Sequence, residues 1–121
     1  MRTFKLKTFA RWARKEGLKD NALLKAVDEM KDGKFDGDLG GKVYKKRVAL
    51  PGRGKSGSVR TLVAFRSEEK AFFMYGFAKN QRSNIDDKEL KALRLMAKKA
   101  LDKSDAKLKK DIKEKILIEV K

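Results

Sequence analysis

The chain has 121 residues, with 33 Lys and Arg against 17 Asp and Glu and a formal net charge of +16. It contains neither cysteine nor histidine. That excludes a disulfide framework, thiolate metal ligands, a cysteine nucleophile and the commonest general base. No apolar run approaches the roughly 18 residues of a membrane span, and residues 1–30 hold no signal-peptide core. The composition predicts one cytoplasmic domain over residues 1–121 that meets a polyanion and no membrane.

In chain order, residues 2–7 predict an edge strand. Thr8 is placed to cap a first helix with Phe9, Trp12 and Ala13 on one face, ended by Gly17. Asp20 is placed to cap a second, where Leu23, Val27 and Met30 recur at i, i+4 and i+7 before Gly33. Both stripes read as core, and Trp12 as packing. Residues 34–41 are rich in Gly and Asp and read as a loop. The period then falls from 3.6 to 2: residues 43–50, 60–65 and 71–77 predict three consecutive strands of an antiparallel meander. Residues 51–58 make a long glycine-rich connection between the first two, and residues 67–70 a tight hairpin. Ser83 or Asp86 caps a third helix, with Leu90, Leu93, Ala97 and Leu101 inward. Ser104 opens a short fourth helix to Lys113, and residues 116–120 read as a strand or docking segment, so 104–121 form a C-terminal extension. The order predicts a compact α+β domain. N-terminal helices pack on the meander, a C-terminal helix follows, and one sheet face stays open.

Charge is concentrated at the centre. Leu39 to Ser67 holds eight basic and no acidic residues, and residues 39–85 carry a net +9 against +7 for the other 74 residues. A single-sign field opposes folding by self-repulsion and persists where a partner uses it. Side chains alternate across a strand, so Lys45 and Arg47 share one face and Tyr44, Lys46 and Val48 the other. In the next strand Arg60 lies with Leu62 and Ala64, opposite Val63 and Phe65. Helices on the Val63 side therefore leave Arg60 beside the basic residues of the first strand. The loop with Arg53 and Lys55 can wrap a phosphate, although its glycine spacing is too short for a Walker A motif. Lys79, Asn80 and Arg82 form a polar cluster just before a helix N-terminus, where backbone donors attract anions. Phe73 and Tyr75 read as core rather than as base-stacking platforms.

Together these features resemble the RelE/HigB-type toxins of bacterial type II toxin–antitoxin systems. The pattern runs Lys45-Lys46-Arg47-Val48-Ala49, Gly52-Arg53-Gly54-Lys55-Ser56-Gly57, Arg60, residues 72–76 and Ala78-Lys79-Asn80. The resemblance spans residues 20–101 and implies a microbial-RNase-like fold and a ribosome-dependent mRNA endonuclease. It implies a catalytic set of Arg60, Lys45, Arg47, Lys79 and Arg82, with Lys46, Arg53, Lys55 and Asn80 binding RNA. Asn80 stands where some relatives carry Arg, and Asp86 where some carry Tyr.

RNA brings its own nucleophile, the 2′-OH, so the protein need only align it, stabilise the transition-state charge and move protons. Guanidinium groups suit the second task through bidentate bonds to phosphoryl oxygens. Arg60 is the first choice, with Arg47 or Arg82 in support. Lysine among cations has a lowered pKa, making Lys45 or Lys79 the acid or base, and Asp86 is the carboxylate alternative. This chemistry needs no metal and no cofactor. The implied partners are a helix-turn-helix antitoxin, the ribosome and mRNA. Two other readings stay open: a non-catalytic RNA- or DNA-binding module, and an inactivated toxin relative.

Overall fold

The alternating segments pair in sequence order. In a computed structural model describing residues 1–50, 57–78 and 85–121, strands β3 (Val43–Val48), β4 (Val59–Arg66) and β5 (Lys70–Ala78) form the antiparallel meander. Three further strands enlarge it. β1 (Arg2–Leu6) pairs parallel with β5, β6 (Leu117–Val120) pairs antiparallel with β1, and the two-residue β2 (Gly37–Asp38) flanks β3. The order is β2-β3-β4-β5-β1-β6. The segment expected at an edge is thus an interior strand, because residues 117–120 extend the sheet beyond it. The 104–121 segment supplies that strand and helix α4 (Asp105–Lys113), and it buries Leu108, Leu117 and Val120.

Helices α1 (Lys7–Glu16) and α2 (Asp20–Lys31) lie on the Val63 face, as expected. Phe9, Leu23, Val27 and Met30 pack with Val48, Val63, Phe65 and Phe73. Each such side chain contributes roughly 1.5–3 kcal/mol on full burial. Gly17 ends α1 with φ +76°, in the left-handed region glycine favours. The expected caps differ. Leu6 and Lys19 are the extended N-cap residues, with no side-chain cap bond, and the Asp20 carboxylate takes Lys5 Nζ at 2.7 Å instead. Gly76 lies beneath Trp12, whose ring a Cβ there would overlap, so Trp12 packs on the backbone as glycine permits.

The opposite face is not open. Helix α3 (Asp87–Leu101) needs cover for its stripe of Leu93, Ala97, Ala100 and Leu101. It finds it on Phe4, Val43, Leu62, Ala64 and Phe72, the alternate positions of the strands. Asp86 opens α3 with a capping box, accepting the Glu89 N–H at 2.8 Å, and Ser104 opens α4 by accepting the Lys107 N–H at 3.2 Å. The Arg94 guanidinium anchors α3 to the β2–β3 turn by donating from Nε to the Leu39 carbonyl at 2.9 Å. Among the described residues no helix is long and apolar enough to cross a membrane.

Candidate functional site

Apolar cover on the α3 face runs out at the end of the sheet where β3 finishes and β4 begins. There Arg47 pairs with Arg60, and Arg60 with Phe77, so the three side chains form one cross-strand row. The adjacent row is Lys45, Leu62 and Tyr75. Both rows stand on the α3 face, because Leu62 belongs to that core. The Lys45 stem rests against Gly37, with Cε 3.5 Å from where a glycine Cβ would sit. Arg47 is exposed, and its backbone N–H donates to Asp36 Oδ2 at 2.6 Å.

Tyr75 joins the cations through an irregularity. Between β4 and β5 the register passes from Leu62–Tyr75 to Val63–Phe73, leaving Met74 as the extra residue of a bulge. Strict alternation would put Phe73 and Tyr75 on one face. The bulge separates them: Phe73 is fully buried against Phe9, while Tyr75 is 37% exposed on the cationic face, its ring 6.1 Å from that of Phe77. The sequence reading assigned both to core. A glycine within a strand, Gly76, was the available signal of such a departure.

The electrostatics separate the basic residues into two kinds. Among the described residues, none of Lys45, Arg47 and Arg60 makes an ion pair, and Arg60 Nη1 is buried without a hydrogen-bond partner. Leaving a buried donor unsatisfied costs about 1–3 kcal/mol, which a phosphoryl oxygen would remove. Lys46 is the other kind. It faces α2, is 7% exposed, donates to the Lys34 carbonyl at 2.9 Å and pairs with Glu29 Oε1 at 2.9 Å. That bond holds the Glu29 carboxyl below the usual glutamate range.

The structure therefore brings Arg60, Arg47 and Lys45 together and sets Lys46 on the other face. Lys79, Asn80, Arg82, Arg53 and Lys55 lie outside the described residues. The anion site expected at Lys79, Asn80 and Arg82 therefore also lies outside the described residues, and the first turn of α3 that follows is acidic and self-capped. Asp86, Asp87 and Glu89 supply negative charge in the first turn, and the Asp86 carboxylate is committed to capping. Among the described residues no three His, Cys, Asp or Glu side chains gather as a metal site requires.

An α+β sheet with two guanidiniums that make no ion pair among the described residues, a lysine and an exposed tyrosine on one face defines a domain suited to a polyanionic partner. A family model described as the RelE toxin of the RelE/RelB toxin–antitoxin system matches residues 1–120. The chain belongs to this family: it is a RelE-type toxin of a toxin–antitoxin system, with an antitoxin as its partner, and the α+β sheet is consistent with the family's microbial-RNase-like fold. The match also takes in β1, α1, α4 and β6, beyond the 20–101 span of the resemblance. No curated protein matches the chain.

Proposed function

We propose that this toxin is a metal-independent endoribonuclease that cuts mRNA on the ribosome and is held inactive by its antitoxin, of helix-turn-helix type. The observation that carries the reading is the Arg47–Arg60 cross-strand pair, which makes no ion pair among the described residues and has one buried guanidinium nitrogen without a hydrogen bond. Two guanidiniums side by side repel each other and are tolerated where an anion binds between them. A phosphodiester whose phosphorus is attacked by its own 2′-oxygen gains charge on the non-bridging oxygens. Arg60 takes that charge, with Arg47 as second donor. Lys45 stands one step along the same face, in the cross-strand row next to that of Arg60, as the proposed proton carrier. Tyr75 offers its ring to a neighbouring base. Lys79 and Arg82 complete the proposed catalytic set, with Arg53, Lys55 and Asn80 as RNA contacts; Lys46, engaged by Glu29 and the Lys34 carbonyl, is not among them.

The test is induced expression of the wild type and Arg60→Ala in a bacterial host, followed by primer extension on an abundant translated message. Growth arrest with new cuts inside translated codons, absent in the variant, is the expected result. Intact messages from folded wild-type protein would overturn the reading. Arg60→Ala protein that loses only modest RNA affinity, with no cleavage by either form, would identify a binding module instead.

A further inference from the structure

We infer that the solvent face of α3 is a surface on which the antitoxin docks, and that the antitoxin meets it with an acidic amphipathic helix. This rests on the pairing of toxin with antitoxin and not on the proposed cleavage of mRNA. Helix α3 carries two stripes. The inner one, Leu93, Ala97, Ala100 and Leu101, is buried on the sheet. On the opposite side Ala92, Leu95, Met96 and Lys99 recur at i, i+3, i+4 and i+7, the spacing by which one helix offers a seam to another. All four are exposed, Leu95 by 56% and Met96 by 41%. A lone exposed leucine is ordinary. Here two large apolar side chains straddle the line from Ala92 to Lys99, so a partner's side chain can enter between them above the small alanine. The seam is also held in place. The Arg94 guanidinium ties α3 to the β2–β3 turn, Nε lying 2.9 Å from the Leu39 carbonyl oxygen, so little ordering cost remains for binding.

The rim selects the partner. Lys88, Lys91, Lys98 and Lys99 are exposed, and none makes an ion pair among the described residues. From Leu90 to Leu101 the helix has no acidic residue. An apolar centre within a charged rim is the anatomy of a protein–protein interface, and a lysine rim is complemented by Asp and Glu on the other side. A second copy of this chain would set lysine against lysine, with +16 on each molecule. RNA would meet the lysines, but its sugar–phosphate backbone gives Leu95 and Met96 no apolar surface to bury against. An acidic helix with apolar residues on one side satisfies both the centre and the rim.

The experiment titrates the purified full chain with the purified antitoxin encoded beside it, by calorimetry at several salt concentrations. Joint replacement Leu95→Glu and Met96→Glu is expected to weaken binding by at least about tenfold, as loss of central anchors does. Its melting temperature should match the wild type, because both side chains are exposed. Joint replacement Lys91→Glu and Lys99→Glu keeps the apolar centre and is expected to weaken binding while flattening its dependence on salt; it carries the test if the first variant fails to fold. In cells, coexpressed antitoxin should rescue growth from the wild-type toxin and not from the Leu95/Met96 variant. Wild-type affinity in both folded variants would overturn the surface. So would a variant that keeps the antitoxin but no longer sediments with ribosomes, or a wild-type dimer that Leu95→Glu turns into a monomer, since these assign the seam to the ribosome or to a second copy. Antitoxin binding that depends on the seam, in a protein that cuts no mRNA, would spare the docking surface and sink the endoribonuclease. Cleavage that the antitoxin still controls in both variants would do the reverse.

Discussion

Strand β4 carries one arginine next to its start and another at its end, on the same face of the sheet, and the two have opposite fates. Arg66, at one end, donates from Nη1 to the Leu101 carbonyl at 3.3 Å and lies 3.4 Å from Asp102 and 3.7 Å from Glu69. Arg60, at the other, has no carboxylate partner among the described residues and a buried nitrogen with no hydrogen bond. The contrast extends around each residue. Near Arg66 the chain ties Lys103 and Lys107 to Asp111, and Lys70 Nζ to the Lys103 carbonyl at 3.0 Å. Near Arg60 stand Arg47 and Lys45, which likewise make no ion pair among the described residues. Cations at the far end are used by the fold, whereas those at the near end make no ion pair among the described residues.

The largest expected effect separates those two arginines directly. Arg60→Ala should slow cleavage of ribosome-bound mRNA by about 100-fold or more, the usual loss when one preorganised transition-state donor is removed. Its melting temperature should stay level or rise, since a self-repulsion and an unsatisfied donor go with it. Arg66→Ala should leave the cleavage rate unchanged and cost about 1 kcal/mol or less, as half-exposed ion pairs do. Cleavage rate and thermal melt on both variants check this. A reversed result, with Arg66 needed for cutting and Arg60 for stability, would break the comparison.

A smaller effect divides neighbours on one strand. Lys45→Ala should reduce the dependence of log affinity on log salt by about 0.7, one phosphate contact's worth for single-stranded RNA. Lys46→Met should leave that slope unaltered, because the ammonium is spent on Glu29 and the Lys34 carbonyl. Binding isotherms at several salt concentrations decide it, and equal slopes for both variants would place Lys46 among the RNA contacts after all.

The same residues show what could be read beforehand. Period-2 alternation placed Arg60 beside Lys45 and Arg47 and put Lys46 across the strand, since that depends only on the pleat. Alternation does not say which cations find a carboxylate; Glu29 reaches Lys46 from α2, 17 residues earlier in the chain. The α3 cover was missed because the apolar residues of the meander look alike on both faces until helices are assigned to each. Phe73 and Tyr75 were grouped because a bulge at Met74 has no signature beyond a glycine two residues on. Asp20 looked like a cap by type and place, but a long-range partner, Lys5, outbid the local backbone.

The smallest expected effect concerns acid, and it belongs to the paired cations alone. Asp111 is buried and its carboxyl is held below the usual aspartate range, chiefly by the hydrogen bond from Lys103 and also by Lys107. Glu119 is lowered by Arg2, and Glu29 by Lys46. Each is deprotonated more easily folded than unfolded. Their stabilisation is therefore complete above the ordinary carboxylate values of about 4, and it is lost as pH falls through the lowered folded-state values. Melting temperature should hold steady down to about pH 5 and decline below about pH 4. Asp111→Asn should be less stable than wild type at pH 7, and the gap should narrow as acid protonates the wild-type carboxyl through its lowered folded-state value. Adding Arg60→Ala to either protein should leave the shape of the pH curve unchanged, because no carboxylate among the described residues depends on Arg60. A curve that flattened on loss of Arg60 would reveal an acidic partner there and erase the distinction between the two ends of β4.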